Sequence, residues 1–145
     1  MFKEMTPFEI KDKVKNGWIK VWLAFDVVAA KPEISKEALE KHMDKLLSLP
    51  QIIGYKKDIA EPMKIDNAPN NMKEAYSTAG EIEAVVKSVF DLINIVIVYG
   101  PSSIEVIEPD EIKISIGDLQ NSVNVISGVM HQFAQAGIGG FIIRT

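Results

Sequence analysis

The chain has 145 residues, 47% of them hydrophobic and 25% charged, a formal charge of -4 and no cysteine. That length suits a single domain, residues 1–145, able to bury roughly 70% of its unfolded surface without staples, and the balance of apolar and charged residues excludes both disorder and a membrane protein. The acidic balance argues against capture of nucleic acid or anionic lipid, which depends on a basic face, and the missing cysteines exclude disulfides, thiolate catalysis and cysteine-ligated metals.

Of the 16 basic residues only Arg144 is an arginine, so planar bidentate recognition of phosphate or carboxylate is poorly served. The first residues carry no apolar core typical of a secretion signal. The longest apolar run, residues 84–99, is interrupted by Lys87, Asp91 and Asn94 and falls short of the roughly 20 residues that span a bilayer. A cytoplasmic protein is the expectation.

In chain order, Thr6-Pro7 predicts a helix start and Gly17 its end, giving a helix over residues 7–16. From Trp18 the period becomes two: Ile19, Val21, Leu23, Phe25 and Val27 alternate with Trp18, Lys20, Trp22, Ala24 and Asp26, the pattern of a long strand with one apolar face. Pro32 ends that strand. Ser35 is then expected to cap a helix reaching Leu49, with Leu39, His42, Met43, Leu46 and Leu49 along one stripe.

Residues 52–65 read as a strand, but Pro62 lacks the N–H that an interior ladder needs, so this strand should be an edge or carry a bulge. Residues 66–73, rich in turn formers, form a loop. A third strand follows over 76–86, where Ala79-Gly80 and the run after it leave a helix as the competing reading, then a helix over 88–99 with Val89, Leu92, Ile93, Val96 and Ile97 as its stripe and Gly100-Pro101 as its stop. The β-branched content of that segment leaves a strand as the competing reading. A short strand over 104–107 precedes the longest helix, capped by Asp118, with Leu119, Val123, Ile126, Met130 and Phe133 in register and Val125 and Val129 widening the stripe. Gly137, Gly139 and Gly140 end it, and residues 141–143 can add a last short strand.

This succession predicts an α+β fold: a ferredoxin-like βαββαβ sandwich with an extra N-terminal helix and a C-terminal helix plus short strand. If the apolar residues of the first strand face the helices, pleating turns Lys20, Trp22 and Asp26 to the opposite face, with Glu81 and Glu83 beside them from the third strand. Trp18, Lys20, Trp22, Asp26, Glu81 and Glu83 are therefore the candidate ligand or interface residues. Three occupants compete for that face: the chain's own terminal helix, a second copy, or a foreign ligand or partner.

Motifs for chemistry are sparse. His42 and His131 have no metal-ligand spacing, and the glycines at 137, 139 and 140 follow a helix and precede a strand, the reverse of a phosphate-binding loop. Glu105, Glu108, Asp110 and Glu111 cluster around Pro109, as acidic residues at strand edges commonly do. No cofactor or metal is implied. The expectation is a non-enzymatic domain that self-associates, most simply as a dimer, and binds a protein partner or small metabolite through the sheet face or a subunit groove. The alternative is a small enzyme using carboxylate acid–base chemistry at Asp26, Glu81 and Glu83.

Overall fold

The structure, a computed structural model, describes residues 1–69 and 71–137. Its contacts divide the chain into two units, Met1–Ile112 and Lys113–Thr145. The described residues form an α+β fold with four helices and a five-stranded antiparallel sheet. None of the helices is long and apolar enough to cross a membrane.

In the first unit, helix α1 (Pro7–Lys15) starts where the Thr6 hydroxyl accepts from the Glu9 N–H while the Glu9 carboxylate answers the Thr6 backbone, a reciprocal cap that satisfies two otherwise orphaned donors. Strand β1 (Ile19–Ala29) follows, its residues Ile19, Val21, Leu23 and Phe25 buried and the alternate ones more open, as the period of two demands.

Helix α2 (Pro32–Leu47) starts four residues earlier than the sequence suggests, with Lys31 and not Ser35 at the cap position. Pro32 occupies the first helical position, where its missing N–H costs nothing, so Ser35 is not the cap. Its hydroxyl turns inward instead, donating to the Pro32 carbonyl at 2.8 Å and meeting the Thr78 hydroxyl at 2.6 Å. Leu39, Met43 and Leu46 of the expected stripe are fully buried, joined by Leu47, whereas His42 and Leu49 are half-buried.

Strand β2 (Ile52–Ile59) and the short β3 (Met63–Ile65) lie along the same neighbour, β4 (Ala75–Val86), with the segment holding Pro62 between them. The proline thus sits where the ladder is interrupted at a sheet edge. A bulge at Tyr55 shifts the register as well. The outer side of β2 is met by a parallel bridge from Phe2 to Gly54.

The segment after β4 is helical: α3 (Val89–Tyr99) begins at Ser88, whose hydroxyl accepts from the Asp91 N–H at 3.1 Å, and ends at Gly100, left-handed at φ 55°. These two caps overcome the β-branched composition. The expected stripe is corrected, however. Ile95 is the buried residue, Val89, Leu92 and Tyr99 pack against the core, and Val96 and Ile97 stay exposed. A helix apolar on nearly every side offers no contrast from which to read its phase. Strand β5 (Ser103–Glu108) completes the sheet.

The strand order is β2-β4-β1-β5, with β3 also paired to β4. The core joins Ile19, Val21, Leu23 and Phe25 of β1 and Ile82, Ala84 and Val86 of β4 to the buried side chains of α2, with Ile52 and Ile95 at its margins. Gly80 permits close packing of α2, since a Cβ there would stand 2.9 Å from Met43 Sδ and 3.0 Å from Leu39 Cδ2.

The second unit contains α4 (Ile116–Gln135). Its cap is Ser115, whose hydroxyl accepts from the Asp118 N–H at 3.0 Å, so Asp118 is the third helical residue and not the cap. An acidic residue there still favours the positive end of the helix dipole. The short strand expected over 141–143 lies outside the described residues, as do Gly139 and Gly140.

Candidate functional site: the acidic sheet face

Residues directly opposite each other on antiparallel strands share a face, so the observed register spreads the side chains of the face around Trp22 into a grid. One row runs Lys56, Glu83, Trp22, Glu105 across β2, β4, β1 and β5. The row on one side is Asp58, Glu81, Ala24, Ser103, and the row on the other is Ile53, Val85, Lys20, Glu108. Asp26, opposite Ala79, extends the same face along β1.

Of the sequence-derived candidates, Lys20, Trp22, Asp26, Glu81 and Glu83 all share this face. Trp18 immediately precedes β1, and the Lys13 ammonium stands 4.7 Å from its ring centroid, a contact that ties α1 to the start of the strand. Glu105 and Glu108 join the face through β5, whereas Asp110 and Glu111 lie beyond the strand and are exposed. The cluster around Pro109 is thereby divided between the two settings.

The charge on this grid is one-sided. Asp26, Asp58, Glu81, Glu83, Glu105 and Glu108 stand against Lys20 and Lys56. The Lys56 ammonium lies 3.6 Å from the Glu83 carboxylate, which leaves Trp22 with Glu105 on its other side. Asp58 and Glu81 face each other directly, an arrangement of like charges that weakens the sheet locally. Among the described residues no three histidine, aspartate or glutamate side chains come together as a metal site.

Tyr55 is the addition that sequence reading missed. It is the extra residue of the β2 bulge, and its hydroxyl is buried with no hydrogen-bond partner among the described residues. Burial pushes its pKa up to about 12, and the negative fields of Glu83 and Glu108 add to the rise. The only hint in the sequence was an aromatic residue beside Gly54, since glycine in a strand often accompanies a bulge.

The elevated value fixes a pH dependence. The folded state holds the Tyr55 proton more tightly than the unfolded chain, so stability from this group is complete below pH 10, the ordinary value, and falls as pH rises from 10 towards 12. Tyr55→Phe should abolish that part of the alkaline loss. In neutral solution it should be neutral or stabilising by up to about 1 kcal/mol, because an unpaired hydroxyl leaves the interior. Urea denaturation of both proteins at neutral and alkaline pH, with tyrosinate absorbance as the titration probe, checks both statements.

Tyr99 borders two cavities. One, of about 300 Å³, is lined by Phe25, Asp26, Val27, Ala38, His42, Tyr99 and Gly100. The other, of about 350 Å³, runs along α3 past Phe90, Asp91, Asn94, Ile95 and Val98 to Leu49 and Gln51. His42 Nε2 is 2.7 Å from the Tyr99 carbonyl. A carbonyl only accepts, so Nε2 carries the proton and the imidazole ties α2 to the end of α3. Its ring also packs against Phe25 and Tyr99 at centroid distances of 5.5 and 5.4 Å. His42 is therefore a structural strut beside the cavity, and His131 is exposed on α4.

Taken together, the fold and the grid define an α+β domain with an antiparallel sheet that presents an aromatic ring among carboxylates. The chain belongs to the MJ0538 family, whose model matches residues 20–140. No curated protein and no solved structure matches it.

Proposed function

We propose that this is a non-enzymatic binding domain whose sheet face receives a basic segment of a protein partner, with a Lys or Arg side chain seated against Trp22. The observation that carries the reading is the row Lys56, Glu83, Trp22, Glu105, in which an indole has a carboxylate on either side. A cation over a tryptophan ring gains roughly 0.5–2 kcal/mol, and the surplus of carboxylates steers such a partner to the face. The same surplus opposes a second copy meeting sheet to sheet, because like charges would then be brought together.

The finer topology belongs to this reading too. With β2 and β3 taken as one interrupted edge strand, the order β2-β4-β1-β5 corresponds to the 4-1-3-2 order of a ferredoxin-like sheet, and both connecting helices, α2 and α3, contribute to one core. The absence of cysteine supports a cytoplasmic setting.

The test uses a ten-lysine peptide as probe and Trp22 emission as readout, in a Trp18→Phe background. Binding should shift the emission and weaken steeply with added salt. A Glu83→Gln, Glu105→Gln double variant should bind at least about tenfold more weakly, given charge-assisted contacts of roughly 1.5–3 kcal/mol each, and a ten-glutamate peptide should have no effect. Binding insensitive to salt or to removal of the carboxylates overturns the proposal.

A further inference from the structure

We infer that α4 is a self-association helix, and that its partner is the α4 of a second copy of this chain. Ile116, Leu119, Val123, Ile126, Met130 and Phe133 follow one another at intervals of three, four, three, four and three residues. That is the 3.5-residue period of a helix-on-helix seam, and Val125 and Val129, which would widen it towards the stripe by which a helix lies on a sheet, are half-buried and not part of the exposed row. All six belong to one helix of 20 residues and all are exposed, Ile126 at 44% the least and Ile116 at 80% the most. β-Branched Ile116 and Val123 alternate with Leu119, the arrangement that favours two strands.

Charge and area point to an identical partner. Of the positions flanking the seam, Gln120 and Ser127 are exposed and uncharged, Val129 is half-buried, and Ser122 and Ala134 are buried, while the one acidic residue of the helix, Asp118, lies off the seam. Nothing along this surface repels its own copy in either orientation, and nothing charged selects a different one. The acidic sheet face has the opposite character. The six exposed side chains offer roughly 600 Å² per helix, so a pair covers about 1,000 Å² or slightly more, the lower bound for a specific interface.

Sedimentation equilibrium of the full chain tests this. The parent should be a dimer. Ile126→Glu and Ile126→Lys, which set like charges against each other at the centre of the seam, should each raise the dissociation constant at least about 100-fold with the circular dichroism of the folded chain retained. An equimolar mixture of the two variants should recover the dimer, which a variant that merely misfolds would not do. A monomeric parent, as when α4 instead packs on its own chain, overturns the inference. So does a dimer unaffected by Ile126→Glu, or a mixture of the two variants that stays monomeric.

Discussion

Leu23→Ala should lower the unfolding free energy by about 3 kcal/mol, within the roughly 2–5 kcal/mol that large-to-small changes cost in a closed core. Leu23 is fully buried in β1, the strand held between β4 and β5, and stands opposite Ile82 and Ile104. Truncation removes its transfer energy and leaves a void that the paired strands on either side prevent from closing. Urea denaturation should show a lower midpoint at unchanged slope. Ala24→Ser, one residue along on the other face, should change stability by less than about 0.5 kcal/mol. Equal costs at the two positions would contradict the assignment of faces.

The second large effect concerns the buried pair of hydroxyls, Ser35 on α2 and Thr78 on β4, both with no exposure. Because the Ser35 proton goes to the Pro32 carbonyl, the Thr78 hydroxyl must donate to Ser35 Oγ. Ser35→Ala therefore strands a donor in a dry site and should cost about 1–3 kcal/mol. Thr78→Val keeps the shape and leaves the Ser35 proton satisfied, so its cost should be about 1 kcal/mol. The double variant should be less destabilised than the sum by about 1 kcal/mol, since the second change removes the group that the first left unpaired. Strict additivity in a denaturation cycle would show that the two hydroxyls act independently.

How much of this could be read in advance depended on contrast. The alternation from Ile19 to Phe25 is legible because one face is apolar and the other is not, and it places Lys20, Trp22 and Asp26 together without any structure. Pro62 marks the interrupted edge for an equally local reason, the missing N–H. The phase of α3 was illegible because Ile93, Ile95, Val96 and Ile97 are chemically alike. Two helix starts were displaced where neighbouring residues offered rival caps: Pro32 set the start ahead of Ser35, and Ser115 caps ahead of Asp118.

The grid itself needed register, which is a property of strand pairs. The neighbours of Trp22 are set by pairing across β4 and β5, and the shifts beside Tyr55 and between Lys20 and Val21 alter which residues align. Gly54 only hints at the first shift, and no local pattern announces the second. Glu105 and Glu108 were thus visible as acids at a strand edge but not as companions of Trp22, and Tyr55 carried no signal that its hydroxyl would be buried and unpaired.

The carboxylate-rich grid also governs how this chain behaves in a crowd. Flat β-surfaces brought face to face tend to stack, and here every such approach meets the same excess of negative charge on both molecules. That repulsion acts as a spacer whose reach is the screening length, about 10 Å in dilute salt and about 3 Å in concentrated salt. The colloidal behaviour of the protein is therefore tied to ionic strength through one side of one sheet, independently of the stability of the core beneath it.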